Sequence, residues 1–520
     1  MNLLTITIFL PAAAMIAILF TKDCKHARMI GMLGALATFV LSTLVLFKSV
    51  NLAPGEYALA ADVAWIQLGS FDVHYRIGVD GLSGILIFLT GLLAFSAALA
   101  SWNIEKGTRG YWAMFLLLHT GILGTFASLD LFLFYVFWEV MLLPMYFLIG
   151  VWGGPRRIYA AIKFFLYTLF GSIFLLAGIL VVYFAVTSDP GFRSVLDPAQ
   201  RGNAFSIPDL TAYAAQTRFV SGGILAHYGA NAGLIASLVF WGMFVAFAVK
   251  VPVFPFHTWL PDAHVEAPTP ISVILAGILL KLGGYGMLRI NFPLFPSVMK
   301  DAAFWIGVLG VINIVYGALV AMAQTDFKKM VAYSSVSHMG FCLLGFAAMT
   351  PEGLNGAILQ LFNHGTISGL LFLVVGVVYD RAHHRDLNRF GGLLWRMPVY
   401  GTIATIAMFA SLGLPALSGF WGEFLTFVGS YKTDYYAGAR VITLISTLGL
   451  VFTAAYYLRA IQRVFLGKTN PAYESFPDAS RRESVAMIAL LAPTIFLGLY
   501  PAPLIDVYQP AVAALRSFIG

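Results

Sequence analysis

The chain has 520 residues, of which 60% are hydrophobic and only 11% charged, against roughly 25% charged residues in soluble domains. With a mean hydropathy of +0.85, this composition excludes a large soluble domain and predicts an all-α polytopic membrane protein, in which each crossing takes about 20 apolar residues and about fourteen fit. The net charge of +7 is spread between apolar runs as a topology signal, not gathered into a nucleic-acid patch, and its two cysteines, Cys24 and Cys342, form no CxxC pair, which excludes a disulfide scaffold and an all-protein iron–sulfur site.

In chain order, apolar runs near 3–20, 27–48, 81–101, 111–128, 131–150 and 158–187 make spans 1 to 6. No Lys or Arg precedes the first run, which therefore reads as a retained span and not as a secretory signal. Between spans 2 and 3, residues 49–80 set Val73, Tyr75 and Ile77 in alternation among Glu56, Asp62 and Asp72, the pattern of a small hairpin or else a plain loop. After a polar stretch at 188–219, runs near 228–250, 269–291, 302–324, 327–349, 352–379, 397–430, 437–466 and 484–500 make spans 7 to 14. The tail 501–520, with Pro501, Pro503, Pro510, Asp506 and Arg516, reads as a surface segment. Of the 31 basic residues, roughly 18 fall in the loops that leave odd-numbered spans and roughly 10 in the alternate loops, a bias that places both termini outside.

Hydropathy breaks twice in related ways. Lys250 to Pro270 contains five prolines, and Ser411 to Glu423 contains Gly413, Pro415, Gly419 and Gly422. Paired interruptions point to internally repeated transporter folds whose broken helices expose backbone near the pathway; the plainer reading is two bent membrane helices.

Ionisable side chains recur near one depth. A charge at mid-bilayer costs roughly 2.5 to 3.5 kcal/mol on insertion scales, so each needs a partner, water or a purpose. Glu139 in span 5, Lys250 at the end of span 7, Lys281 in span 8, His338 in span 10, His364 in span 11 and Glu423 after the span 12 break form such a set. Joined by water and hydroxyls, they make a candidate lateral proton relay. At about 7 Å and an effective dielectric near 20, Glu139 and Lys250 are worth roughly 2.4 kcal/mol to each other. Each residue also has a structural reading: Glu139 and Lys250 as a static ion pair, and the histidines as hydrogen-bonding groups for a neighbouring helix through Ser335, Ser337, Asn363 or Thr366. Lys163 is placed to snorkel as readily as to join a pathway, and Asp130 and Asp326 are placed to cap spans 5 and 10. His257, Asp262, His264 and Glu266 have metal-ligand chemistry, but the favoured reading is a turn whose polar groups satisfy backbone freed by the prolines. His383 to Asp386 reads as a solvated loop.

The stretches FWEVMLLPMYFLIG, AVKVPVFPFHTWLPDAHVEAPTPISVILAGILLKLGGYG and AQTDFKKMVAYSSVSHMGF resemble the antiporter-like subunits of respiratory complex I and of multisubunit Na+/H+ antiporters. The resemblance implies two inverted five-helix repeats, spans 4–8 and 9–13, with spans 7 and 12 broken. It divides the chain into N-terminal spans at 1–110, repeats at 111–291 and 302–466, and a last span with its tail at 467–520. It casts Glu139 as the glutamate that modulates a lysine partner, Lys250 as that lysine and Lys281 as the central lysine, with His338, His364 and Glu423 completing the relay. The implied function is proton translocation in the membrane arm of NADH:quinone oxidoreductase, in the inner (cytoplasmic) membrane, driven by quinone reduction elsewhere. No cofactor is implied on this chain, since FMN, iron–sulfur clusters and quinone belong to other subunits. The implied partners are the other membrane subunits, including two sister antiporter-like subunits and a lateral helix from the largest, together with lipids and protons. A subunit of a multisubunit Na+/H+ antiporter, or of a ferredoxin- or hydrogenase-linked pump, shares nearly every motif; Glu423, where sister subunits usually place Lys, speaks against the first. A membrane scaffold whose buried charges merely hold helices is the third reading.

Overall fold

Long apolar runs leave the backbone no partner in lipid except itself, so they are forced into helices. The structure, a computed structural model, describes residues 2–68, 71–195 and 203–519. Among these residues twelve helices are long and apolar enough to cross a membrane, and two shorter apolar helices, Leu3–Leu19 and Pro398–Ser411, fall in spans 1 and 12. Burial separates them into an interior and a rim. The apolar windows of spans 8, 10 and 11 (Thr269–Leu294, Phe327–Ala348 and Pro351–Ala382) are 100%, 94% and 100% buried, against 33% for span 2 and 39% for spans 13 and 14. The interior column is therefore made of the helices that carry Lys281, His338 and His364.

Small residues let these helices approach closely. A Cβ on Gly310 of span 9 would lie 2.9 Å from the Leu344 nitrogen, and one on Gly340 of span 10 would lie 2.7 Å from the Gly310 carbonyl oxygen. Backbone touches backbone here, the packing expected where lipid removes any hydrophobic drive between helices. Asp130 and Asp326 cap their helices as read from the sequence: Asp130 accepts from the Phe132 and Leu133 amides, and Asp326 from the Lys329 amide.

Both sequence interruptions are breaks. Span 7 ends at Lys250, turns through Val251–Thr258 and resumes as Trp259–Glu266; span 12 stops at Ser411 and resumes at Ser418. The polar side chains expected to satisfy the backbone freed by the first turn, His257, Asp262, His264 and Glu266, make no hydrogen bond to it among the described residues. Asn313 of span 9 satisfies it instead, accepting from the Phe254 amide at 2.8 Å and donating to the Pro252 carbonyl at 3.1 Å, and Trp259 donates to the Val249 carbonyl. Span 5 is also interrupted, which its uniform hydropathy hides: helix Leu131–Val140 ends just after Glu139, and Leu142–Trp152 continues.

The segment before span 3 is a hairpin, β1 (Ala58–Leu68) pairing antiparallel with β2 (Phe71–Val79) and Val63 lying opposite Tyr75. His74 on β2 bonds Asp62 across the ladder and Asp72 at 3.2 Å. Burial works against a charged ring, but these two carboxylates outweigh it and hold the His74 pKa above its ordinary 6.5. Because the folded value is the raised one, the stabilisation is complete below the ordinary histidine value and is lost as pH rises through the raised value. Amide exchange in β1 and β2, corrected for intrinsic rate, should therefore quicken over that rise in the wild type; an equal change in His74→Phe would disprove the assignment.

The polar stretch 188–219 is not a plain loop. It holds helices Pro190–Val195 and Ile207–Thr217, the latter capped by Ser206 with Ile207, Leu210 and Ala214 buried; residues 196–202 lie outside the described part. Arg76 of β2 pairs with Asp209 at 2.9 Å and ties this helix to the hairpin. The tail forms the helix Ala502–Ile519, which lies against the bundle: Tyr508 donates to the Asn355 carbonyl, and Gly81 lies so close to Val507 that any Cβ would overlap its carbonyl.

Candidate functional site: a buried row of lysine, histidine and glutamate

Lys281 sits just beyond a π-helical turn, Leu275–Leu279. Such a turn withdraws carbonyls from the i→i−4 ladder, and the Lys281 ammonium takes one of them, that of Ala276. Its other partner is Nδ1 of His364, at 2.7 Å. An ammonium facing an imidazolium has no acceptor between them, so at most one of this pair holds the proton at a time.

From His364 the row continues to His338, whose ring centroid lies 5.7 Å away. His338 Nδ1 meets Glu423 Oε1 at 3.2 Å and its Nε2 meets the Ser411 hydroxyl at 3.0 Å. Ser411 donates to Tyr457, which donates to Ser334, so the second half holds a branch of groups that each donate and accept. Lys281, His338, His364 and Glu423 are all 4% exposed or less. A cavity of about 10 Å³ lies among His338, His364, Gln360 and Glu423, at the lower limit of what one water requires. The span 12 break seats the carboxylate: Gly413, at φ +80°, would place a Cβ 2.5 Å from Glu423 Oε2, so only glycine fits the turn against it.

Glu139 and Lys250 form a second cluster. Lys250 ends its half-helix, where the backbone dipole favours a cation, and its ammonium lies 4.9 Å over the Trp138 ring. It has no hydrogen-bond partner among the described residues. Glu139 lies near enough to feel that charge and is beside Ser172, but no direct ion pair forms between Glu139 and Lys250 among the described residues, which removes the static-pair reading in its contact form. The six residues thus fall into two groups: Lys281 is bonded to His364 and Glu423 to His338, with the two imidazoles in ring contact but not hydrogen-bonded, while Glu139 and Lys250 stand together without a hydrogen bond to these four among the described residues.

Most neighbouring polar residues have partners of their own. The histidines do not use the hydroxyl and amide neighbours proposed for them: Ser337 donates to Ile314, Asn363 to Ser418 and Thr366 to Asn363, all backbone carbonyls. Lys163 pairs with Asp262 at 2.7 Å. His257 meets Tyr316, Glu266 accepts from the Arg156 amide, and His264 stacks on Phe372 with both ring nitrogens buried and unpartnered, so these four do not converge. His384 bonds Tyr473 and Arg385 pairs with Asp326, so that loop is tied down. Sequence reasoning passed over Ser411, Tyr457 and Asn313, whose types are common in membrane helices, and His119, a wholly buried histidine in span 4 that bonds the Phe115 carbonyl; its depth in an apolar run was the signal available.

Residues 128–452, which contain every member of both groups, match the family described as NADH:quinone oxidoreductase/Mrp antiporter, TM. The chain belongs to this family. Relatives of the NADH:quinone oxidoreductase/Mrp antiporter family include NADH-quinone oxidoreductase subunit M of Rickettsia felis, 40% identical over 522 residues that cover 99% of this chain and 98% of that one. The subunit M of Rhodobacter capsulatus is also 40% identical, over 99% of this chain and 96% of its own. Among solved structures, a chain of respiratory complex I from Thermus thermophilus with bound NADH superposes with a TM-score of 0.85 at 30% identity, covering 99% of this chain and all of that one. A chain of the membrane-bound sulfane sulfur reductase, an archaeal respiratory membrane complex, shares the fold (TM-score 0.82, 20% identity, 99% and 97% covered).

Proposed function

We propose that this chain is a proton-translocating subunit of the membrane arm of an NADH:quinone oxidoreductase, in which the midplane row passes protons in step with quinone reduction on other subunits. The observation that carries the reading is the pair of bonds Lys281–His364 and His338–Glu423 in closely packed helices, with the two imidazole centroids 5.7 Å apart between them. Ionisable groups at such depth are costly, and here each meets another titratable group, the arrangement a relay requires and a scaffold does not. Glu139 acts on Lys250 through space, so that a charge change at one resets the other. In this reading spans 4–8 and 9–13 are inverted repeats broken at spans 7 and 12, the termini and hairpin face the outer side of the inner membrane, and the partners are sister antiporter-like subunits and a lateral helix. FMN, iron–sulfur clusters and quinone then serve from other subunits.

The test is NADH-driven proton uptake by inverted vesicles carrying Glu139→Gln, normalised to assembled complex. Oxidation and uptake should fall together by roughly tenfold, since each decade reflects about 1.4 kcal/mol of lost charge stabilisation. Wild-type rates in a fully assembled variant would leave Glu139 a structural residue.

A further inference from the structure

A cavity of about 240 Å³ opens between the hairpin stem, the helix Ile207–Thr217 and the tail helix, and Arg289, Asp80 and Tyr57 line it. Arg289 lies on span 8, two turns beyond Lys281, with Tyr285 between them at four-residue steps along one face. Each of its three nitrogens is engaged: Nε meets the Tyr285 hydroxyl at 3.2 Å, one terminal nitrogen the Tyr57 hydroxyl at 3.2 Å, and the other Asp80 Oδ1 at 2.6 Å. Asp80 in turn caps span 3 through the Ser83 amide, and Tyr285 donates to the Phe126 carbonyl at 2.9 Å.

We infer that Arg289 is a proton-exclusion plug between this cavity and Lys281. A proton wire needs members that both donate and accept and can exchange the two roles. Arginine only donates and does not release its proton. The Tyr285 hydroxyl accepts from Arg289 and spends its own proton on a carbonyl that cannot pass it on. The direct line from cavity to Lys281 therefore meets a donor-only group followed by a hydroxyl held by a carbonyl, whereas the branch from His338 through Ser411 and Tyr457 to Ser334, which ends on the Val331 carbonyl, contains no donor-only group. The Arg289 charge is balanced by Asp80, so removing it leaves an unopposed carboxylate that favours an incoming proton. The inference rests on the proposed function for its direction: with the hairpin outside, the plug prevents protons already delivered from returning to the relay.

The test uses the whole complex in proteoliposomes loaded with pyranine, with an imposed pH gradient, valinomycin and potassium, and no NADH. Arg289→Gln should collapse the gradient about tenfold faster, the Boltzmann factor for one unit charge removed about 12 Å from the lysine at an effective dielectric near 20, while NADH oxidation persists. Arg289→Lys, which keeps a donor-only cation, should hold the gradient as wild type does. An unchanged decay in Arg289→Gln, or an equal leak in Arg289→Lys, overturns the plug and leaves the Arg289 and Asp80 pair as a structural clasp. If Arg289→Gln does not assemble, Arg289→His supplies a group that can accept and release a proton at the same place and should leak. No redox turnover enters the leak measurement, so its failure is separable from that of the Glu139→Gln experiment.

Discussion

Lys281→Gln is expected to give an assembled complex whose NADH-driven proton uptake is absent and whose quinone reduction falls by roughly a hundredfold, the low end of what a positioned proton-transfer group contributes. The amide retains a donor for the Ala276 carbonyl and for His364, so packing and register survive while the proton carrier is gone. Lys281→Arg is the discriminating companion. It preserves the charge but does not surrender its proton, and its larger head must enter a slot in which Lys281 is wholly buried. If charge alone mattered, Lys281→Arg would pump; a relay requires that it not. Proton uptake and NADH oxidation per assembled complex decide the matter, and a Lys281→Gln variant that pumps would sink the relay altogether.

The second large effect concerns the frame. Gly340→Val should cut the amount of assembled complex severely, because even its Cβ would lie 2.7 Å from the Gly310 carbonyl and 2.8 Å from the Ile314 nitrogen. Backbone cannot rotate away as a side chain can, so spans 9 and 10 must separate. Overpacking of this kind costs about 1–3 kcal/mol or more, and the displaced segment holds His338 two residues away. Gly242→Ala is the control, its nearest neighbour being Phe174 at 3.8 Å, and it should assemble normally. Native-gel quantification with activity per complex separates the outcomes; normal assembly of Gly340→Val would mean that the two helices are not held in contact in the membrane.

Much of the site was legible because membranes make exceptions conspicuous. A lysine in AGILLKLGGYG or a glutamate in FYVFWEVMLL stands against a solvation cost that no soluble core imposes so uniformly, and proline and glycine clusters marked two helix breaks. The hairpin was legible from alternation, and the capping roles of Asp130 and Asp326 from their places at the starts of apolar runs. What escaped was whatever depends on a partner from another helix. The break after Glu139 leaves no mark in hydropathy, Ser411 and Tyr457 are ordinary membrane residues until His338 lies beside them, and Asn313 serves a turn about sixty residues away in the chain. Arg289 reads in the sequence as a basic residue near a helix end, and only its packing against Tyr57, Tyr285 and Asp80 makes it a barrier.

Composition and spacing by themselves thus determined that the chain crosses a membrane many times, where two of its helices break, and which six ionisable side chains sit within or beside apolar runs, because each of these follows from the local cost of placing a residue in lipid. Tertiary structure alone decided which of them touch. It joined Lys281 to His364 and Glu423 to His338, and it held Lys250 over Trp138 away from direct contact with Glu139, because hydrogen bonds across helices depend on register and rotation, set by the summed packing of all the spans and written in no single one.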